Sequence, residues 1–229
     1  MFAAVAMISA SVFGIDLSSN LIFEADYSKG TAAPVVAKGS SSFSPLLDGK
    51  ITFKDGGLIT GKNVASVRYS GPGNLNPGSG AIEMLVRNID WSWDDDKMHT
   101  LFYANDNKGA ICYIYKYKKD GLGGCFVVSD GTNRKTYFPR QMIRKLEGND
   151  VKHIVVVYSP DSYSFYMDGE LISEREGEVP FNFNGRNFIV GAPGDRSGRE
   201  GNSWIGYIRI YDRILAGSEI EELAANAKK

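Results

Sequence analysis

Hydrophobic and polar positions alternate with a period of two along most of the chain. In Ala81-Ile82-Glu83-Met84-Leu85-Val86-Arg87, the apolar Ile82, Met84 and Val86 share one face while Glu83 and Arg87 take the other. Residues 110 to 117 place Ile111, Tyr113, Tyr115 and Tyr117 on a common face. The runs at 125–128 and 154–158 are β-branched and aromatic, the composition that strands favour. Segments 162–167 and 187–190 complete the obvious strands. Asp-Gly pairs stand at 48–49, 55–56, 120–121, 130–131 and 168–169, where they supply the positive φ of tight hairpin turns. Strands at this spacing, with turn signals between them, predict a sandwich or a barrel.

One segment changes period. Ile220, Leu223, Ala224 and Ala227 follow the i, i+3, i+4, i+7 spacing of an amphipathic helix. Ser218 is placed to cap it, with Glu221 closing a capping box. Glu219 and Glu222 near its start and Lys228 and Lys229 at its end suit the helix dipole. Residues 140–147 suggest one further helical turn. With no internal repeat and no linker, residues 15–229 read as a single all-β domain.

Composition narrows the function. The 26 basic and 27 acidic residues of this 229-residue chain give a net charge of −1. A chain so near neutrality has no electrostatic footprint for nucleic acid and no polybasic membrane patch. The 26 glycines beside 12% aromatic residues agree with many strands joined by tight turns. Residues 1–14 are apolar and small and resemble a secretory signal without its basic region, cut before Ile15; a buried N-terminal strand is the alternative. Nothing reaches the ~20 apolar residues that a spanning helix needs. The expected setting is secreted or cell-surface.

The last third carries a resemblance. His153-Ile-Val-Val-Val-Tyr158, followed by Ser162-Tyr-Ser-Phe-Tyr-Met-Asp-Gly169, resembles the paired central strands of laminin-G-like, concanavalin A-like jelly rolls. Phe188-Ile189-Val190-Gly191 is similar to a later strand of that family. Trp204 to Leu215 with Ser218-Glu219-Ile220 resembles its closing strand and helix, and Gly80 to Val86 resembles its entry into the core. The likeness spans roughly residues 20–226 and implies an antiparallel jelly-roll β-sandwich with one short C-terminal helix. Two departures stand out: Val151 replaces the tryptophan that opens the histidine strand, and Tyr207-Ile208 replaces an acidic pair, which weakens a calcium site carried over from relatives. The fold hosts lectins, glycanases, lyases and adhesion modules, so function rests on the site.

The glucanase pattern Glu-x-Asp-x-x-Glu, which would set two carboxylates across a glycosidic bond, does not occur in the sequence. His99 and His153 lack a nucleophile motif, and the lyase set of Arg, Gln, His and Tyr is incomplete. The expectation is a protein that is not an enzyme and requires no cofactor. His153 is expected in the core with its ring satisfied by backbone. A tight turn at Asp120-Gly121 would set Cys125 opposite Lys116, away from Cys112.

Two stretches are candidate ligand-binding sites. In Trp91-Ser92-Trp93-Asp94-Asp95-Asp96, two indoles one residue apart could stack on a sugar, with Asp94 and Asp95 accepting from its hydroxyls; Asp94, Asp95 and Asp96 are also candidate calcium ligands. The alternative places a tryptophan as a plug at the core edge and the aspartates in a solvated turn. The ladder Tyr113, Tyr115, Tyr117, extended by Arg134, Lys135 and Tyr137, is either the floor of a glycan-binding sheet or the inner wall of the sandwich. The resulting expectation is a non-catalytic extracellular module whose partner is a glycan or cell-surface polysaccharide. A structural or adhesive protein binding another protein, and a glycanase or lyase with an atypical site, are the alternatives.

Overall fold

The computed structural model of the protein describes residues 16–46, 49–93, 95–105, 111–117, 122–129, 134–137, 150–176, 187–193 and 200–227. In chain order the strands are β1 (Leu21–Asp26), β2 (Val36–Ala37), β3 (Phe43–Pro45), β4 (Thr52–Lys54), β5 (Gly57–Thr60), β6 (Val67–Ser70), β7 (Gly80–Asn88) and β8 (Met98–Asn105). They continue as β9 (Ile111–Tyr117), β10 (Leu122–Ser129), β11 (Arg134–Tyr137), β12 (Lys152–Tyr158), β13 (Ser162–Met167), β14 (Glu170–Glu176), β15 (Asn187–Val190) and β16 (Ser203–Tyr211). Helix α1 (Gly217–Ala227) follows. The long strands fall where the sequence alternates with period two.

The strands form two antiparallel sheets. One has nine strands in the order β14-β13-β12-β7-β16-β1-β2, with β5 also pairing β16 and β4 pairing β5. The other has seven in the order β11-β10-β9-β8-β15-β6-β3. Phe23, Ile82, Met84, Val86, Ile154, Val156, Phe165, Ile208 and Ile210 from the first sheet meet Val67, Tyr69, Phe102, Ala104, Ile114, Phe188 and Val190 from the second in one core. Each Val, Ile, Met or Phe among them contributes about 1.5–3 kcal/mol on burial. Phe23 meets Phe188 edge-on across the layers, with centroids 5.0 Å apart. This is the jelly-roll sandwich that the resemblance implied, with one helix after its last strand.

Two Asp-Gly turns behave as expected. Asp55 and Gly56 have φ of 51° and 72°, and Asp168 and Gly169 have 53° and 87°. Positive φ at both central residues is the type I′ geometry that matches the twist of a two-residue hairpin. Asp48, Asp120-Gly121, Asp130-Gly131, the turn at 140–147 and segment 1–14 lie outside the described residues.

Three details differ from the sequence reading. The helix cap lies two residues earlier than Ser218: Ile220 N donates to Ala216 O at 3.1 Å, and Ala216 N donates to Glu219 Oε2 at 2.7 Å. The cap is therefore Ala216 with Glu219, and Ser218 lies inside the helix, because Glu219 is also held by a bidentate bond from Arg213. In the β9–β10 hairpin Cys125 stands opposite Tyr113 and Cys112 opposite Phe126, while Lys116 faces Leu122. The pairing is shifted by three residues from the register that a two-residue turn at Asp120-Gly121 gives, so the expected Cys125–Lys116 pair does not form. Finally, β16 carries an irregularity between Ile205 and Tyr207. A bulge there resets the alternation: Ile205 and Ile208 both point into the core, and Tyr207, Arg209 and Tyr211 turn to the outer face.

Candidate functional sites

The segment between β7 and β8 plugs one end of the sandwich. Trp91 and Trp93 expose 8% and 4% of their surface and belong to the core. The backbone there is a turn rather than a strand, so the rings meet edge to face at 4.6 Å instead of lining up as a platform. Trp91 Nε1 donates to Ser203 Oγ at 3.1 Å, and Asn88 Nδ2 donates to Trp91 O at 2.6 Å. An indole sealed in this way leaves no face for a sugar ring. The plug reading describes this stretch, and the open tryptophan platform does not form.

Asp95 serves the same plug. Its carboxylate accepts from the ammonium of Lys116, a side chain with no exposure at all, and lies 2.9 Å from His99 Nε2. Lys116 also donates to Lys97 O at 3.2 Å. Partial burial pushes the Asp95 carboxyl up, but the bonds from Lys116 and His99 outweigh it and hold the group below its ordinary range. Burial lowers His99, and Asp95 offsets only part of that. A neutral His99 that donates from Nε2 to Asp95 keeps Nδ1 as an unpartnered acceptor. Asp95 is therefore spent on a buried cation. Asp96 is exposed, Asp94 lies outside the described residues, and among the described residues no group of three or more His, Cys, Asp or Glu is arranged for a metal ion.

The tyrosine ladder has the opposite placement. Phe102, Ala104, Cys112 and Ile114 of β8 and β9 point into the core, so the alternate residues Tyr103, Tyr113 and Tyr115 face outward. They form a small cluster of their own: Tyr115 is buried, with Met98 and Tyr113 packed against it. Tyr103 and Tyr113 are direct cross-strand partners with centroids 5.0 Å apart, and Tyr113 meets Tyr115 at 5.8 Å. Tyr103 and Tyr113 are each half-buried. Along the same cross-strand row Tyr103 faces Ile189, and Ile189 faces the exposed Arg68. The ladder is an outer floor and not the inner wall. Tyr103 was not legible beforehand, because its pairing with Tyr113 depends on an irregularity between Thr100 and Phe102 that shifts the register. The backbone of Tyr117 stands opposite Met98, and β11 pairs with β10 through Arg134, Lys135 and Tyr137.

A third cluster sits on the outer face of the other sheet. Glu83 is fully buried and accepts from Tyr207 Oη at 2.8 Å and Tyr211 Oη at 2.6 Å. His153 Nε2 lies 3.0 Å away, and Arg209, which also donates to Glu24 at 2.7 Å, approaches to 3.5 Å. Burial raises the Glu83 carboxyl, yet His153, Arg209 and Tyr211 together hold it below its usual value. His153 is buried as expected, but its ring meets a carboxylate through Nε2 rather than backbone, and its Nδ1 has no partner. The bulge in β16 delivers three of these partners, a signal the sequence does not carry. Surrounded in this way, Glu83 has no oxygen to spare for a glycosidic bond.

A family model for the concanavalin A-like lectin/glucanases superfamily matches residues 65–221, about two-thirds of the chain. Among curated protein sequences none matches significantly. Solved structures with the same fold include botulinum neurotoxin type C, whose cell entry depends upon interaction with two ganglioside molecules, at 16% identity and a TM-score of 0.67 over 92% of this chain and 52% of that one. The binding domain of botulinum neurotoxin DC in complex with rat synaptotagmin II is similar at 13% identity and a TM-score of 0.68, with 92% and 52% coverage. The binding domain of Paraclostridial mosquitocidal protein 1 gives 15% identity and a TM-score of 0.67, with 93% and 53% coverage. At such identities the likeness is one of fold, and this chain spans about half the length of those chains.

Proposed function

Because the chain belongs to the concanavalin A-like lectin/glucanases superfamily, we propose that it is a non-catalytic recognition module that binds carbohydrate on the outer face of its seven-stranded sheet. The observation that carries this reading is the contiguous Tyr103–Tyr113–Tyr115 cluster outside the core. Phenol rings offer flat apolar faces to the C–H face of a sugar and hydroxyls to its polar edge. Tyr103 and Tyr113, each half-buried, supply the floor, and Tyr115 packs against Tyr113. The non-catalytic half of the reading is supported by the buried Glu83 and the partly buried Asp95, the first held by two tyrosine hydroxyls and His153 and the second by Lys116 and His99.

The setting proposed is outside the cell or at its surface, with residues 1–14 as the leader. No helix among the described residues is long and apolar enough to cross a membrane. A glycan ligand is in keeping with the ganglioside dependence of one structural neighbour, and a protein ligand with the synaptotagmin complex of another. No metal is needed for the tyrosine floor, so binding persists in EDTA; loss of binding there would return Asp94, Asp95 and Asp96 to consideration as calcium ligands. A printed array of neutral, sialylated and sulfated oligosaccharides tests the proposal, followed by titration of the best oligosaccharide against Tyr103→Ala and Tyr113→Ala proteins. An array without saturable binding contradicts it.

A further inference from the structure

The cross-strand row that holds Tyr113 and Tyr103 runs on through Ile189 of β15 to Arg68 of β6 and Ser44 of β3. Val67 and Tyr69 belong to the core, so Arg68 between them takes the outer face that the two tyrosines share. Two sheet spacings of roughly 4.8 Å set the backbone of Arg68 about 10 Å from that of Tyr103. Ile189 is buried between them.

Arg68 is placed unlike other arginines of the structure. Arg209 is held by Glu24 and Glu83, Arg213 by Glu219, and Arg87 lies over the Trp204 ring. Arg68 is exposed, and among the described residues it has neither a carboxylate nor an aromatic ring as partner. Its surroundings in register are neutral. Ser44 stands half-buried opposite it, and the next outward row pairs Ser70 with the exposed Asn187. A guanidinium without a counter-ion offers a planar fork of donors, and that fork matches two oxygens of a carboxylate or sulfate.

We infer that this face takes an acidic oligosaccharide, with one sugar residue on Tyr103 and Tyr113 and the carboxylate or sulfate of its neighbour paired with Arg68. The inference rests on the reading of the tyrosine floor as the sugar-binding site and adds to it the charge of the ligand. The gap between Tyr103 and Arg68 is wider than one pyranose ring, which puts the acid on the residue beside the stacked one. Ser44 and Asn187 supply a hydroxyl and an amide for the neutral edge of that second residue. A neutral oligosaccharide keeps the tyrosine contacts and leaves Arg68 to water.

The test uses the full chain and a printed array on which every glycan core appears in three forms: neutral, extended by a carboxylated sugar, and sulfated. Acidic members should bind at least about tenfold more tightly than their neutral cores, as a charged hydrogen-bonded pair allows. Added salt should shrink that ratio. Arg68→Gln should bring the ratio close to one with an unchanged unfolding midpoint, while Tyr113→Ala should weaken acidic and neutral members alike. A preference for the carboxylated set or for the sulfated set supports the inference equally and identifies the acid. Equal binding of neutral and acidic members by the parent protein, or an acidic preference that survives Arg68→Gln, overturns the inference and leaves sugar binding standing. Acidic binding that is lost in Arg68→Gln but kept in Tyr113→Ala describes a patch for polyanions and overturns it too. An array without saturable binding contradicts sugar binding itself, and the inference with it.

Discussion

The indole of Trp91 lies flat on the imidazole of His99, with centroids 4.1 Å apart and planes 7° from parallel. That stack ties the turn after β7 to β8 and closes one end of the sandwich, with Trp93 set edge-on beside it. Replacing either tryptophan by alanine opens a cavity in the core, expected to cost about 3–5 kcal/mol. Denaturant unfolding of Trp91→Ala and Trp93→Ala proteins checks this. Near-wild-type stability in both would place the indoles at the surface and revive the tryptophan platform.

Acid should loosen the same end first. Burial holds His99 below its ordinary value of 6.5, so the unfolded chain takes up a proton before the folded one does. Stability therefore falls as pH drops below about 6.5 and goes on falling until the folded ring protonates. Asp95 and Glu83, both held below their ordinary values of 3.8 and 4.5, contribute in full above those values. Their contribution is lost as pH falls further, through the folded-state values. Unfolding midpoints at pH 7.5, 5.5 and 4 should decline in that order, with a shallower first step in His99→Gln. A flat profile between 7.5 and 5.5 contradicts the burial of a neutral His99.

Lys116 gives the sharpest charge prediction. Asp95→Ala leaves its ammonium buried beside carbonyls alone, and breaking a buried pair on one side costs about 3–5 kcal/mol. Replacing both residues, Lys116→Met with Asp95→Ala, should recover much of that loss. A single Asp95→Ala protein as stable as the parent would show that Lys116 reaches solvent.

The β13–β14 hairpin turns on Asp168 and Gly169, both at positive φ. Alanine resists that region by about 1–2 kcal/mol per residue, and a Cβ on Gly169 would stand 3.3 Å from Ala224 Cβ on the helix. The Ala-Ala replacement should lower the unfolding midpoint. An unchanged midpoint means the turn is not type I′.

How far the sequence could be read follows from what each feature depends on. Strands β7, β12 and β13 were legible because their apolar patterns are local, and the Asp168-Gly169 turn that ends β13 is local as well. Short edge strands such as β2 and β3, with two and three residues, have no room for a pattern. The Glu83 cluster was hidden because Tyr207, Arg209 and Tyr211 reach the outer face only through the bulge before Tyr207. The tryptophans misled for a related reason: Trp-x-Trp aligns two rings only if the backbone is extended, and there it turns. The tyrosine row was found, but its outward direction and its partner Tyr103 needed the register of β8 against β9.

The account stands on the Tyr103–Tyr113 floor as a sugar-binding surface. The measurement that tests it most directly is the affinity for the strongest array oligosaccharide in the parent and in Tyr113→Ala, with unfolding midpoints taken on the same preparations. Tyr113 is half-buried on the outside of the sheet, so its loss should reduce affinity by at least about tenfold, the equivalent of 1.4 kcal/mol, while moving the midpoint little. Undiminished affinity in a Tyr113→Ala protein of normal stability would contradict the account.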